Sequence, residues 1–287
     1  MTDQPNRPAL EVDGTTASRS DGQRLLLTND DGIDSPGLHA LARALSGDHD
    51  VIVAAPAVDV SGAGTSMGAL DAAEPTRLHR QDFDGIEAYG IEGPPGLAVL
   101  AASLGAFGPR PDVVVSGPNR GLNTGSSIIH SGTVGAALTG RTFGSKAIAV
   151  SIAPGDRWYW ETAAAIAVPV VAWVLARDEP TTLNVNVPAL PVDRIVGVRW
   201  AKIDGFGHFS VATQGEGGTV LDLDVRDRSS GTDPDSDTAL CLSGHVTLTL
   251  LTHLAAEPVP QDVDPGEVVP LPDTSRTGRE PPEQAGT

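Results

Sequence analysis

Apolar and polar positions alternate in blocks along the middle of this chain. Arg24–Thr28 (RLLLT) is a short apolar run and reads as a strand. In Pro36–Leu45, Leu38, Leu41 and Leu45 lie three to four residues apart, the spacing of one helix face, and Pro36 suits a first helical turn. Asp50–Ala55 (DVIVAA) reads as a second strand, closed by Pro56, and Gly96–Leu104 as a helix. Pro111–Ser116 (PDVVVS) and Lys146–Ser151 (KAIAVS) are further strands, with a small-residue helix starting at Val134–Leu138 between them. Tyr159–Leu175 is a long helix, and Leu183–Val187 (LNVNV) a strand stopped by Pro188. Largely apolar strands alternating with helices predict an α/β fold with a mostly parallel sheet covered on both faces. From about residue 195 the pattern changes. Val220–Val225 and His245–Leu251 predict β-hairpins or an appended antiparallel portion.

The ends carry no such period. Residues 1–22 are polar, and residues 255–287 are dominated by proline and acidic side chains, so neither buries enough apolar area to offset chain entropy. Both are expected to be flexible, leaving one organised domain over 23–254. The acidic ends contribute to a net charge of -18, from 37 acidic and 19 basic residues. That balance argues against unaided binding of a nucleic acid polymer. The single cysteine, Cys241, excludes an internal disulfide and reads as a small buried residue. The first residues lack a basic start followed by an apolar run, so no signal peptide is expected. The stretch Ala163–Leu175, interrupted by Pro169, is too short to span a bilayer. A cytoplasmic protein with no membrane partner is the expectation.

Ligands of an open α/β sheet collect at the carboxyl ends of its strands. Three polar, glycine-rich segments fall there: Thr28–Gly37, Val60–Gly64 and Ser116–Gly125. In the first, Asp30 and Asp31 are adjacent carboxylates, costly to bury unpaired. A hard divalent cation would remove that cost, and Ser61 and Asn119 at other strand ends add oxygen donors of the kind Mg²⁺ or Mn²⁺ prefers. The plainer reading is a turn with Asp31 as a helix cap, Ser61 as a loop residue and Asn119 as a turn former. Asn123, Ser131 and Thr133 offer further polar groups, and a helix starting near Gly132–Thr133 would aim unpaired N–H groups at an anion such as phosphate. A glycine-rich loop capped by Ser131 or Thr133 is the alternative. His130 could donate to phosphate or to a leaving group, whereas His39, His208 and His245 read as structural. No Gly-Lys-Ser/Thr follows the glycines, Ser61 is in no nucleophile elbow, and no Cys/His group has zinc spacing.

Together these segments resemble the SurE survival-protein family of metal-dependent 5′/3′-nucleotidases, collinearly over about 24–253. The resemblance rests on LLLTNDDGIDSPG (25–37), VIVAAPAVDVSGAG (51–64), PDVVVSGPNRGLNTG (111–125), HSGTVGAAL (130–138), LNVNVP (183–188) and SDTALCLSGHVTLTLL (236–251). It implies a Rossmann-like core with a C-terminal extension used in dimer or tetramer formation. It also implies one Mg²⁺ or Mn²⁺ per subunit, held by Asp30, Asp31, Ser61 and Asn119. Asp30, Asp31, Asn123, Ser131 and Thr133 would be catalytic. Gly62, Asn119, Arg120, Asn123, His130, Ser131, Gly132 and Thr133 would contact a nucleoside monophosphate or another phosphomonoester. The chain departs from the family pattern in two places. The loop Ala57–Ser61 lacks the family's basic residues and carries Asp59, and Gly93–Ala98 lacks an Asp and a Cys. Arg120, beside Asn119, would supply the missing positive charge. The departures leave open a non-catalytic metal- or nucleotide-binding, sensing protein of the same fold. The acidic tail invites a third reading as an interaction arm.

Overall fold

The structure is a computed structural model and describes residues 22–68, 75–205, 209–214, 222–227 and 233–252. The chain divides into a unit ending at His253 and a segment Leu254–Thr287. The predicted N-terminal segment, tail and His208 lie outside the described residues, apart from Gly22.

In chain order the elements are β1 (Arg24–Thr28), α1 (Pro36–Leu45), β2 (Asp50–Pro56), β3 (Leu78–Phe83), β4 (Ile86–Ile91), α2 (Pro95–Ser103) and β5 (Val113–Arg120). After a 3-10 turn (Gly125–His130) come α3 (Gly132–Thr142), β6 (Lys146–Ile152), α4 (Trp160–Leu175), β7 (Thr182–Val187) and a second short 3-10 turn (Val192–Arg194). Then follow β8 (Gly197–Trp200), β9 (Phe209–Gln214), β10 (Asp222–Asp227), α5 (Asp237–Leu242) and β11 (His245–Leu250). Nine strands form one sheet in the order β3-β4-β2-β1-β5-β6-β7-β11-β8. From β4 to β7 all neighbours are parallel.

Side chains alternate across a strand, so an apolar run feeds two cores at once. Leu25 and Leu27 of β1 join Val113 and Val115 of β5 beneath α1 and α4. Leu26 and Val114 face the other way, into Ala98 and Val99 of α2 and Val134, Ala136 and Ala137 of α3. This double covering is why the central strands read as apolar runs rather than as alternations.

Two regions depart from the expectation. Residues 78–91 form a hairpin that the hydrophobic pattern did not predict, because β3 (LHRQDF) is mostly solvent-exposed. Its sequence signal is the turn Asp84-Gly85, where both residues have positive φ, 52° and 89°. The second is the late segment, where His245–Leu250 joins the main sheet, antiparallel to β7 and parallel to β8. The antiparallel pair is β9 with β10. Val246 joins the core cluster that holds Leu183, Val185 and Val187 of β7. No helix among the described residues is long and apolar enough to cross a membrane.

Candidate active site at the β1–β5 switch point

From β1 the chain runs outward through α1 to β2, whereas β5 lies on the opposite side of β1. The crevice at their carboxyl ends is therefore the topological switch point, where α/β sheets hold ligands. Thr28 at the end of β1 is in register with Ser116 of β5. Three loops meet here. Val60 N–H donates to the Asp30 carbonyl at 2.9 Å and Ile33 N–H to the Pro56 carbonyl at 2.8 Å, tying the loop after β2 to the loop after β1. The sequence pattern ended the third strand at Ser116, but β5 continues through Arg120 after a register shift between Ser116 and Asn119. Gly117 makes that shift possible. Its φ is +122°, and a Cβ there would lie 2.1 Å from the Val150 carbonyl oxygen.

Asp30 is 3% exposed. Its Oδ1 accepts the Thr133 hydroxyl at 2.5 Å, and the Thr133 backbone amide also faces it. A Cβ on Gly132 would stand 2.7 Å from Asp30 Oδ2, so only glycine lets the start of α3 close on this carboxylate. The N-terminus of α3 thus lies against the Asp30 carboxyl. The physical reason is that a carboxylate this deeply buried needs donors. Burial pushes the Asp30 carboxyl above its ordinary range; the Thr133 hydroxyl pulls it down and the neighbouring Asp31 pushes it up again.

Asp31, with its side chain 2% exposed, pairs with Arg120: Nε donates to Oδ1 at 2.8 Å and the Arg120 backbone N–H to Oδ2 at 3.2 Å. Arg120 Nη2 reaches Asp59 Oδ2 at 2.9 Å. Asp59 Oδ1 in turn accepts the Ser61 hydroxyl at 2.6 Å and the Ser61 backbone N–H at 2.9 Å. One chain of contacts thus joins the three loops. Hydrogen bonds from Ser61 first, and Arg120 second, hold the Asp59 carboxyl below its usual range, and Asp31 raises the Arg120 guanidinium. Asn119 is half-buried, and its Nδ2 donates to the Gly121 carbonyl at 2.9 Å, leaving its Oδ1 as the remaining donor atom for a cation.

The other predicted residues separate into rim and support. Ser131 caps α3, accepting Val134 N–H at 3.1 Å. His130 and Gly62 are exposed on the rim. Asn123 is placed differently from the expectation, because its side chain turns inward. Its Nδ2 donates to Ser151 Oγ at 2.8 Å, its backbone N–H to Asn186 Oδ1 at 2.9 Å, and its carbonyl accepts the amides of Asn184 and Asn186 at 2.8 and 3.0 Å. It anchors the loop that leads to Ser131. Gly125 N–H, on the same loop, donates to buried Asp237 Oδ2 at 3.0 Å.

Residues 25–206 match the family described as survival protein SurE. The chain belongs to the SurE family. Among its relatives are the 5′-nucleotidase SurE of Aeromonas hydrophila, 39% identical over 182 residues that cover 63% of this chain and 71% of that protein. The 5′/3′-nucleotidase SurE of Citrobacter koseri is 37% identical over 235 residues, covering 79% and 89%. The crystal structure of the SurE protein from Aquifex aeolicus superposes with a TM-score of 0.69 at 31% identity, over 79% of this chain and 92% of that one. The mixed, mostly parallel sheet flanked by helices is thus the SurE fold.

Within this SurE-family site, sequence reasoning missed Asp59, Asn184, Asn186, Ser151 and Asp237. The signal for the asparagines was visible in LNVNV, where every second residue of an otherwise apolar, fully buried strand is an amide. Asp59 reads in the sequence as a departure from the family's basic loop, which leaves a non-catalytic protein open, and not as a residue that supports Ser61. His39 is structural, stacking on Phe83 with ring centroids 3.8 Å apart, and His245 contacts Ser243 Oγ at 3.1 Å. Cys241 is buried, and burial drives its thiol well above the ordinary range.

Proposed function

We propose that this chain is a divalent-metal-dependent phosphomonoester hydrolase that releases phosphate from nucleoside 5′- or 3′-monophosphates. The observation that carries the reading is the buried pair Asp30–Asp31 at the switch point, with Ser61 on the loop after β2 and Asn119 at the end of β5. The nucleotidase activity of the relatives supports it.

The residues fit a hard cation. Asp30, Asp31, Ser61 and Asn119 would hold one Mg²⁺ or Mn²⁺ through oxygen donors, the set such ions prefer. Among the described residues no three His, Cys, Asp or Glu side chains form a metal-holding group, so the hydroxyl and the amide oxygen would have to complete the two carboxylates. Burial and the neighbouring Asp31 both raise the Asp30 carboxyl, and a cation beside it would oppose that push. When bound, the metal would supply Lewis-acid polarisation of a phosphoryl oxygen.

The protein's own groups would do the rest. Arg120, with its side chain nearly half exposed, would offer its outward N–H groups to the phosphate oxygens. Among the described residues none accepts the Ser131 hydroxyl hydrogen, which would donate to the same group. Thr133 would hold Asp30 in one rotamer, and Gly132 would give it room. His130 on the rim would protonate the leaving oxygen, and Gly62 would let the substrate approach the loop backbone. Asn123 is assigned to anchoring the loop.

A second reading, a nucleotide-binding protein without turnover, is favoured by one observation. Arg120 already balances Asp31, so the pair tolerates burial with no cation bound. Phosphate release from a panel of nucleoside 5′- and 3′-monophosphates and simple phosphate esters, with Mg²⁺, Mn²⁺ or chelator, tests the proposal. Metal-restored release is expected, and tight nucleotide binding without release would favour the second reading. A homodimer or homotetramer in the cytoplasm belongs to the same proposal. Exposed Val196, Val198, Trp200 and Leu250 along the β8 side of the sheet support assembly, which light scattering would test.

A further inference from the structure

We infer that Asp59 is a positioning residue of the metal site, acting through the hydroxyl of Ser61. Three observations carry this. The Ser61 hydroxyl donates to Asp59 Oδ1 at 2.6 Å, so its hydrogen points at Asp59. The same oxygen takes the Ser61 backbone N–H at 2.9 Å, so backbone and side chain of Ser61 are fixed together. The other carboxylate oxygen is tied to Arg120, which is tied to Asp31, so Asp59 is itself fixed relative to the aspartate pair.

The consequence is chemical. A hydroxyl that donates its hydrogen to a carboxylate keeps its lone pairs for a cation and becomes a better donor to it. A freely rotating hydroxyl spends part of its time with its hydrogen toward the cation. Groups standing behind a ligand in this way commonly alter metal affinity about 10- to 100-fold when removed. Ser61 needs such support more than the aspartates do, since it is exposed and sits beside Gly62, a glycine with open space around it. Asp59, which in the sequence reads as the loss of a basic residue, is on this account part of what makes the site work. The inference rests on the metal reading above.

The test is Mn²⁺ affinity of the full chain, measured by calorimetry for the wild type, Asp59→Ala, Asp59→Asn, Ser61→Ala and the double variant Asp59→Ala/Ser61→Ala. Melting curves in chelator confirm that each variant is folded. The expected result is a loss of about 10-fold or more in Asp59→Ala. Asp59→Asn, which keeps an acceptor oxygen for the Ser61 hydroxyl, should recover most of that loss. In the Ser61→Ala background, Asp59→Ala should add less than about twofold, because a residue acting through Ser61 has nothing left to act on. Equal affinity of Asp59→Ala and wild type, or an equal loss with and without Ser61, would overturn the inference while leaving the metal site standing. A wild-type protein that binds no Mn²⁺ would overturn the metal reading, and the inference with it.

Discussion

Thr133→Val removes one hydroxyl and keeps the volume and shape of the side chain. Thr133 is fully buried and Asp30 nearly so. The lost donor stands 2.5 Å from Asp30 Oδ1. A hydrogen bond to a charged group contributes about 1.5–3 kcal/mol, so at neutral pH the variant should be destabilised by about 2 kcal/mol. In a domain of this size that lowers the melting temperature by roughly 5 °C. The pH dependence follows from linkage. The Asp30 carboxyl titrates above its ordinary value when folded, so its protonated form favours the folded state. That contribution is complete below the unfolded value of 3.8 and is lost as pH rises through the folded value. The Thr133 hydroxyl lowers the folded value and so limits the loss. Removing it raises the folded value further. The penalty of Thr133→Val should therefore be small near pH 4 and grow with pH across the window above it. Urea denaturation of both proteins at pH 4.5 and 7.5 measures the difference, in chelator so that bound cation does not mask it. A penalty below about 0.5 kcal/mol at pH 7.5, or one equal at the two pH values, would refute the reasoning.

Arg120→Gln removes the cation from a buried carboxylate. Breaking a fully buried pair costs about 3–5 kcal/mol, but Arg120 is nearly half exposed, so about 1–2 kcal/mol is expected in chelator, read as a drop in melting temperature. Adding Mn²⁺ should then raise the melting temperature of Arg120→Gln more than that of the wild type, because the cation takes over the lost partner's charge; an equal rise would count against a metal at Asp31. Gly117→Ala sets a Cβ 2.1 Å from the Val150 carbonyl oxygen at a φ that side chains avoid, and should cost about 3 kcal/mol or more. A thermal melt within 2 °C of wild type would show that β5 can rearrange freely.

The central strands and helices were legible in the sequence because their apolar spacing is local and their faces are buried on both sides. RLLLT, DVIVAA and KAIAVS place β1, β2 and β6 within a residue or two. The hairpin of β3 and β4 was harder to read because exposed edge positions carry little hydrophobic signal, although Asp84-Gly85 marks its turn. The place of β11 in the sheet was not legible for a related reason, and β8 was not read as an element. Whether a short alternating segment folds on itself or joins a sheet depends on which edge is available, and that edge is made by β7, some sixty residues earlier.

The candidate site divides in the same way. The sequence alone determined which residues could do chemistry: two adjacent aspartates after a strand, hydroxyls and amides among glycines, and a family resemblance that orders them. Tertiary structure alone decided their roles. Thr133 serves Asp30, Asn123 turns inward to Ser151, and Asp59 joins Ser61 to Arg120, through contacts that span from two residues to more than one hundred. A side chain's type fixes what it can donate or accept. Which partner it finds depends on which strand ends the sheet order brings together, and on the cost of leaving a buried polar group without one.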